Sequence, residues 1–145
     1  MALDDPTQKM SKSAKRPNSS ISLADSPESI AKKIKSAVTD SGREVTAGED
    51  KPALTNLLTI FSALEGTPVG ELGVTYRSGG YAAFKRALAD AVVEHLGPIR
   101  KRYEDLIGDR AELERLLDTG ARRADEFAES TMVDVRSKLG LGHRP

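Results

Sequence analysis

The chain contains no cysteine and no tryptophan. Without cysteine there is neither a disulfide nor a thiolate metal site. Two widely separated histidines, His95 and His143, cannot by themselves close a zinc site. Aromatic residues amount to only 4% of the chain, so any core must be aliphatic. No apolar run approaches the roughly 20 residues that a membrane-spanning helix requires, and the N-terminus lacks the apolar stretch of a secretory signal. An excess of charge is absent too, with 22 basic residues set against 22 acidic ones. Domains that hold nucleic acid by bulk electrostatics usually carry a basic excess, so any RNA contact must come from local patches. These absences point to a soluble, cytoplasmic protein without a membrane partner or a protein metal site. The length of 145 residues fits one domain with a tail.

What is abundant is helix-forming. Ala, Leu, Glu, Lys and Arg dominate, which favours an all-α fold. Residues 1–25 differ from the rest, being polar and interrupted by Pro6 and Pro17. They read as a flexible loop and linker rather than a packed element. Ser26-Pro27-Glu28 then has the chemistry of a helix start: an N-cap hydroxyl, a proline in the first turn and an acid at the positive end of the dipole. Ile30, Ile34 and Val38 form the apolar stripe of that first helix. The polar run from Thr39 to Lys51 reads as a loop.

Leu54, Leu57, Leu58, Phe61 and Leu64 give the spacing of a buried helical face. Gly66 stops that helix, and Thr67-Pro68 starts a short third one. After Gly79-Gly80 a long helix places Phe84, Leu88, Val92 and Leu96 on one side. Pro98 has no N–H to donate, so that helix either kinks or restarts there. Ile99, Tyr103 and Leu106 continue the stripe. Asp109 can cap a further helix carrying Leu113, Leu116 and Leu117. A last helix is expected from about Ala121 to Leu139, with Ala124, Phe127, Ala128, Met132 and Val135 facing inward, ended by Gly140 and Gly142. The expected organisation is a loop and linker over 1–25, a helical domain over 26–140 and a tail over 141–145.

The chemistry concentrates in Asp5-Pro6-Thr7-Gln8-Lys9-Met10-Ser11-Lys12-Ser13. Two ammonium groups on a pliable segment with small hydroxyl neighbours suit a loop that closes over a polyphosphate and follows the charge developing on departing pyrophosphate. On composition alone, a solvated basic linker accounts for the same residues. Arg100-Lys101-Arg102 and Arg122-Arg123 are local basic clusters able to pair with phosphates. Glu104, Asp105, Asp125 and Glu126 beside them equally describe an ordinary solvated face. His95, in the string His95-Leu96-Gly97-Pro98, reads as a surface residue at a helix end, and His143 lies in the tail.

The Lys9–Ser13 string matches the second signature of class I aminoacyl-tRNA synthetases. Its flanks sharpen the match: Asp4-Asp5-Pro6 before it, Ala37-Val38-Thr39-Asp40-Ser41 after the next helix, Gly80-Tyr81 followed by Lys85, and Gly120-Ala121 followed by Ala124 and Ala128. Taken in order over nearly the whole chain, these residues resemble the tryptophanyl branch of that class. The resemblance implies ATP-dependent charging of tRNA(Trp) with tryptophan, with ATP as substrate and Mg2+ accompanying it. It assigns Lys9 and Lys12 to contact ATP phosphates as catalytic residues, with Met10, Ser11 and Ser13 shaping the same binding loop. Ala14 stands where many family members carry an acidic residue. The helical remainder corresponds to the family's anticodon-binding region, making Arg100, Lys101, Arg102, Arg122 and Arg123 candidates for tRNA contact. Full-length members commonly form homodimers.

The family's first signature, His-x-Gly-His, belongs to a Rossmann-like half that precedes the lysine loop. Neither that string nor a Gly-rich strand–turn–helix unit occurs here. The expected fold is therefore an all-α helical bundle, anticodon-binding-like, preceded by the lysine loop, with the catalytic Rossmann-like half absent. Two function classes follow. One is the C-terminal portion of a synthetase, inactive alone and engaging ATP and tryptophan only with an N-terminal half. The other is a non-catalytic tRNA-binding or regulatory module.

Overall fold

The computed structural model describes residues 1–13 and 15–141, so Ala14, Gly142 and His143 lie outside the described residues. Helices α1 (Pro27–Ser36), α2 (Pro52–Glu65), α3 (Val69–Tyr76), α4 (Gly80–Gly108) and α5 (Arg110–Lys138) are the regular elements among the described residues. The chain divides into two compact units, Met1–Lys101 and Arg102–Pro145, with the boundary inside α4.

Local chemistry sets the helix ends in the first unit. The Ser26 hydroxyl accepts the Ser29 amide at 3.2 Å and caps α1. Gly66 adopts φ +70° after α2, a left-handed conformation that a Cβ disfavours by roughly 1–2 kcal/mol. Gly80 opens α4 at φ +64° for the same reason. Ile30 and Ile34 of α1, Leu54, Leu57, Leu58 and Phe61 of α2, Leu72 of α3, and Phe84, Leu88 and Val92 of α4 form one buried cluster. Three rings knit α2, α3 and α4 together. Phe61 lies 5.6 Å from Tyr76 and 6.0 Å from Phe84, and Tyr76 meets Phe84 edge-on at 5.8 Å.

Two segments that read as loops also enter this core. Val45, isolated in the polar run between α1 and α2, is fully buried. Leu3, in the same cluster, and Ala2 beside it are also buried. Residues 1–25 contain no helix or strand among the described residues, yet Ala2, Leu3 and Ser19 within them are buried. Val38 behaves oppositely: it falls beyond the end of α1 and its side chain is exposed.

Helix α4 does not restart at Pro98 but continues through it to Gly108. The bond forfeited there is to the carbonyl of Glu94. Both Glu94 and Pro98 are exposed, so water can satisfy the freed acceptor.

The second unit departs most from expectation. The two helices expected after Asp109 are one, α5, passing through Thr119-Gly120 without a break. A single interior glycine costs only about 1 kcal/mol relative to alanine, too little to end a helix with good formers on both sides. Asp109 does cap it, accepting the Glu112 amide at 3.0 Å. Gly140 terminates it at φ +66°. The expected inward face is not buried: α5 has no buried residue among those described, and Phe127 is 91% exposed. Leu116, Leu117, Met132 and Val135 are likewise exposed, as are Ile99 and Tyr103 on α4. Correct helical spacing identified a face, but within these residues nothing covers it. Short-range ion pairs along the helix, Arg115–Glu112 at 2.7 Å and Lys138–Asp134 at 2.6 Å, lie on its solvated surface.

Candidate functional site

The lysine loop is a lobe with a fixed base. At its base the Leu3 amide donates to the Ser19 carbonyl at 2.9 Å, and the Val38 amide donates to the Leu3 carbonyl at 2.8 Å. Leu3 thus uses both backbone polar groups while its side chain sits in the core. Ser19 is 1% exposed, and its hydroxyl donates to the Arg16 carbonyl at 2.8 Å. Outside this base, Asp4 pairs with Arg16 at 3.1 Å. The Ala2 amide bonds the Gln8 carbonyl at 2.7 Å, folding the segment back just before Lys9.

Asp5 then makes a tight turn, accepting the Thr7 hydroxyl at 2.6 Å and the Thr7 amide at 3.0 Å. These two bonds hold its carboxyl below the usual carboxylate range. Lys9 and Lys12 follow on the exposed part of the lobe, together with Ser11 and Ser13. The Ser13 amide donates to the Ser11 hydroxyl oxygen at 3.2 Å, a local turn around Lys12. Met10, between them, packs against the core. Its thioether side chain therefore tethers the loop while the flanking ammonium groups stay in water. Lys9, Met10, Ser11, Lys12 and Ser13 thus form one stretch of surface loop beside a hydrogen-bonded base.

The basic clusters have different settings. Arg100 is half-buried and donates from Nη1 to the Asp25 carbonyl at 3.3 Å. Asp25 itself is paired with Lys33 at 2.6 Å, both side chains largely shielded. Burial pushes the Asp25 carboxyl up, but its bonds with Lys33 and the Ser22 amide hold it below the ordinary value. Lys101 and Arg102 are exposed. In the second unit, Arg122 donates from Nε to the Asp118 carbonyl at 3.4 Å, and Arg123 is exposed. His95 lines a shallow surface hollow with Leu64, Glu94 and Pro98.

A group that periodicity alone did not single out joins α1 to α4. The Lys85 ammonium donates to the Ala37 carbonyl at 2.7 Å and the Lys35 carbonyl at 3.3 Å. It caps the C-terminal end of α1, where the dipole favours a cation. Burial holds its pKa below the ordinary lysine value. The Tyr81 hydroxyl, one turn earlier on α4, donates to Asp40 Oδ1 at 2.5 Å. Partial burial, with the Asp40 carboxylate adding to it, pushes the Tyr81 hydroxyl up to about 12. Asp40 in turn is held low by Tyr81 and by the Gly42 amide. The string Gly80-Tyr81…Lys85 is visible in the sequence, but its partners lie more than 40 positions away, as the 41- and 48-residue separations show.

Comparison with known proteins gives one consistent result. A family model described as tRNA synthetases class I (W and Y) matches residues 1–97. The match ends in α4 immediately before Pro98. The tryptophan–tRNA ligase of Bacillus subtilis (strain 168) is 46% identical over 145 residues, which are 99% of this chain and 44% of that protein. The corresponding ligase of Halalkalibacterium halodurans is 45% identical over the same shares. Among solved structures, tryptophanyl-tRNA synthetase from Mycoplasma pneumoniae superposes with a TM-score of 0.78 at 35% identity, covering 99% of this chain and 45% of that one. The chain therefore spans about 44% of the length of the curated relatives it matches.

Proposed function

The chain belongs to the class I tRNA synthetase family (W and Y), and from that premise we propose that it is the C-terminal portion of a cytoplasmic tryptophan–tRNA ligase whose lysine loop serves ATP activation. The observation that carries this reading is the Lys9–Ser13 stretch itself: two solvated ammonium groups on one surface loop, with the loop base fixed by Leu3 and Ser19. Lys9 and Lys12 contact the ATP phosphates. They stabilise the negative charge that grows on pyrophosphate as the tryptophan carboxylate attacks the α-phosphorus and the bond to the β-phosphate oxygen breaks. Ser11 and Ser13 donate hydrogen bonds to phosphate oxygens. Mg2+ travels with the nucleotide; of the carboxylates nearest in sequence, Asp4 pairs with Arg16 and Asp5 accepts from Thr7. tRNA(Trp) is the partner of the assembled enzyme, and a homodimer is its expected state.

We infer that these 145 residues alone do not form the adenylate, because the resemblance assigns adenine, ribose and tryptophan binding to the Rossmann-like half that carries the His-x-Gly-His signature. The test is ATP–pyrophosphate exchange with tryptophan, using this chain alone, a separately expressed N-terminal half alone, and the two mixed. Exchange confined to the mixture, and lowered roughly a hundredfold by Lys9→Met or Lys12→Met, is the expected result. Exchange by this chain alone would overturn the division of labour. A mixture of folded halves without exchange, in which this chain still retains tRNA on a filter at moderate salt, would favour a non-catalytic RNA-binding module.

A further inference from the structure

We propose that Tyr81 and Lys85 are positioning residues for the lysine loop, acting through the chain segment after α1. The inference rests on the reading of Lys9 and Lys12 given above and extends it to residues that do not touch the loop. The path is a series of consecutive hydrogen bonds. Lys85 binds the Ala37 carbonyl. The next residue, Val38, donates its amide to Leu3. Leu3 binds Ser19 across the base of the loop. Two residues beyond Val38, Asp40 is held by Tyr81. Residues 37–40 are therefore pinned to the first turns of α4 from both ends, and the amide between the pins is the one that holds Leu3.

The physical requirement is clear. A loop that must meet a polyphosphate keeps its tip solvated and mobile, so its aim has to come from its base. Here one side of the base is Leu3, buried through its side chain and bonded through both backbone groups. The other is Ser19, also buried. α1 ends at Ser36, and its cap Ala37 donates its amide to the Ile34 carbonyl, while the Ala37 carbonyl, in the same peptide group as the Val38 amide, is taken by Lys85. The ammonium of Lys85 and the hydroxyl of Tyr81 hold this segment from a different helix. They do so in a partly buried setting, where a bond to a charged group is stronger than at the surface.

The experiment is amide hydrogen exchange at Leu3 and Val38, together with the rate of tryptic cleavage after Lys9 and Lys12, in the intact chain. The variants are Tyr81→Phe, which removes only a hydroxyl, Lys85→Met and Lys85→Arg. Phe84→Leu is the control, because it weakens the same helix at a buried position and removes none of the hydrogen bonds to residues 37–40. Tyr81→Phe and Lys85→Met are expected to raise exchange at Val38 and cleavage after Lys9 and Lys12 roughly tenfold. Amides of α2 such as Leu57 and Leu58 should stay unchanged, and Lys85→Arg should recover most of the protection. Phe84→Leu should raise exchange broadly. Parent-like exchange at Val38 in both Tyr81→Phe and Lys85→Met, or a rise no larger than that at Leu57, would overturn the proposal. Neither readout requires ATP. Failure of this coupling is therefore distinct from failure of the phosphate assignment, which the Lys9→Met and Lys12→Met exchange assay addresses.

Discussion

The backbone amide of Val38 donates to the carbonyl of Leu3 at 2.8 Å, joining the segment after α1 to the start of the lysine loop. Because Leu3 is only 3% exposed, this bond is anchored in the core, and the loop inherits a defined base from a residue near the chain's beginning.

Leu3→Ala should therefore behave as a core truncation. A loss of about 2–4 kcal/mol of unfolding free energy is expected, measured by urea denaturation. Leu23→Ala, in the same segment but 56% exposed, should change stability by less than about 0.5 kcal/mol.

Tyr81 makes an alkaline signature. Its folded-state pKa of about 12 lies above the ordinary 10.0, so the unfolded chain releases this proton first. The contribution is complete below pH 10.0 and is lost as pH rises through about 12. Titration of tyrosinate absorbance should show one of the three tyrosines ionising late, and Tyr81→Phe should remove that late component.

The Asp25–Lys33 pair works in the opposite direction. The Asp25 carboxyl is held below 3.8 in the folded chain, so its stabilisation is full above that value and disappears as pH falls through the lower folded value. Asp25→Asn should cost about 1.5–3 kcal/mol at neutral pH. The difference from the parent chain should shrink below pH 3.8, as followed by thermal unfolding across an acid series.

Phe127 provides a negative control within the apolar stripe of α5. At 91% exposed, Phe127→Asp should leave the unfolding free energy of this chain within about 0.5 kcal/mol of the parent. A loss of several kcal/mol would show that the face is covered in solution.

Much of the local structure was legible. Ser26-Pro27-Glu28, Gly66, Gly80, Asp109 and Gly140 act where their backbone chemistry said they would, because caps and left-handed turns are decided by a few adjacent atoms. Ile30, Leu54, Leu57, Leu58, Phe61, Phe84 and Leu88 were readable as core through their spacing. The Lys9–Ser13 string and its flanks led to the family, which the matches to tryptophan–tRNA ligases support. The restart allowed at Pro98 and the separate helix expected from Ala121 did not occur, since a lone helix breaker loses to well-formed helix on either side.

By itself, the sequence determined the capped helix starts at Ser26 and Asp109, which faces are apolar and which residues form the lysine string, since these depend on short-range sterics and side-chain type. Only the tertiary structure decided that Leu3 and Val45 are core, that Phe127 is not, and that Tyr81 and Lys85 reach the segment beneath the loop. The reason is separation along the chain. Burial of an isolated apolar residue, or satisfaction of a carbonyl by a lysine 48 positions away, depends on which elements meet, and no local pattern encodes that meeting.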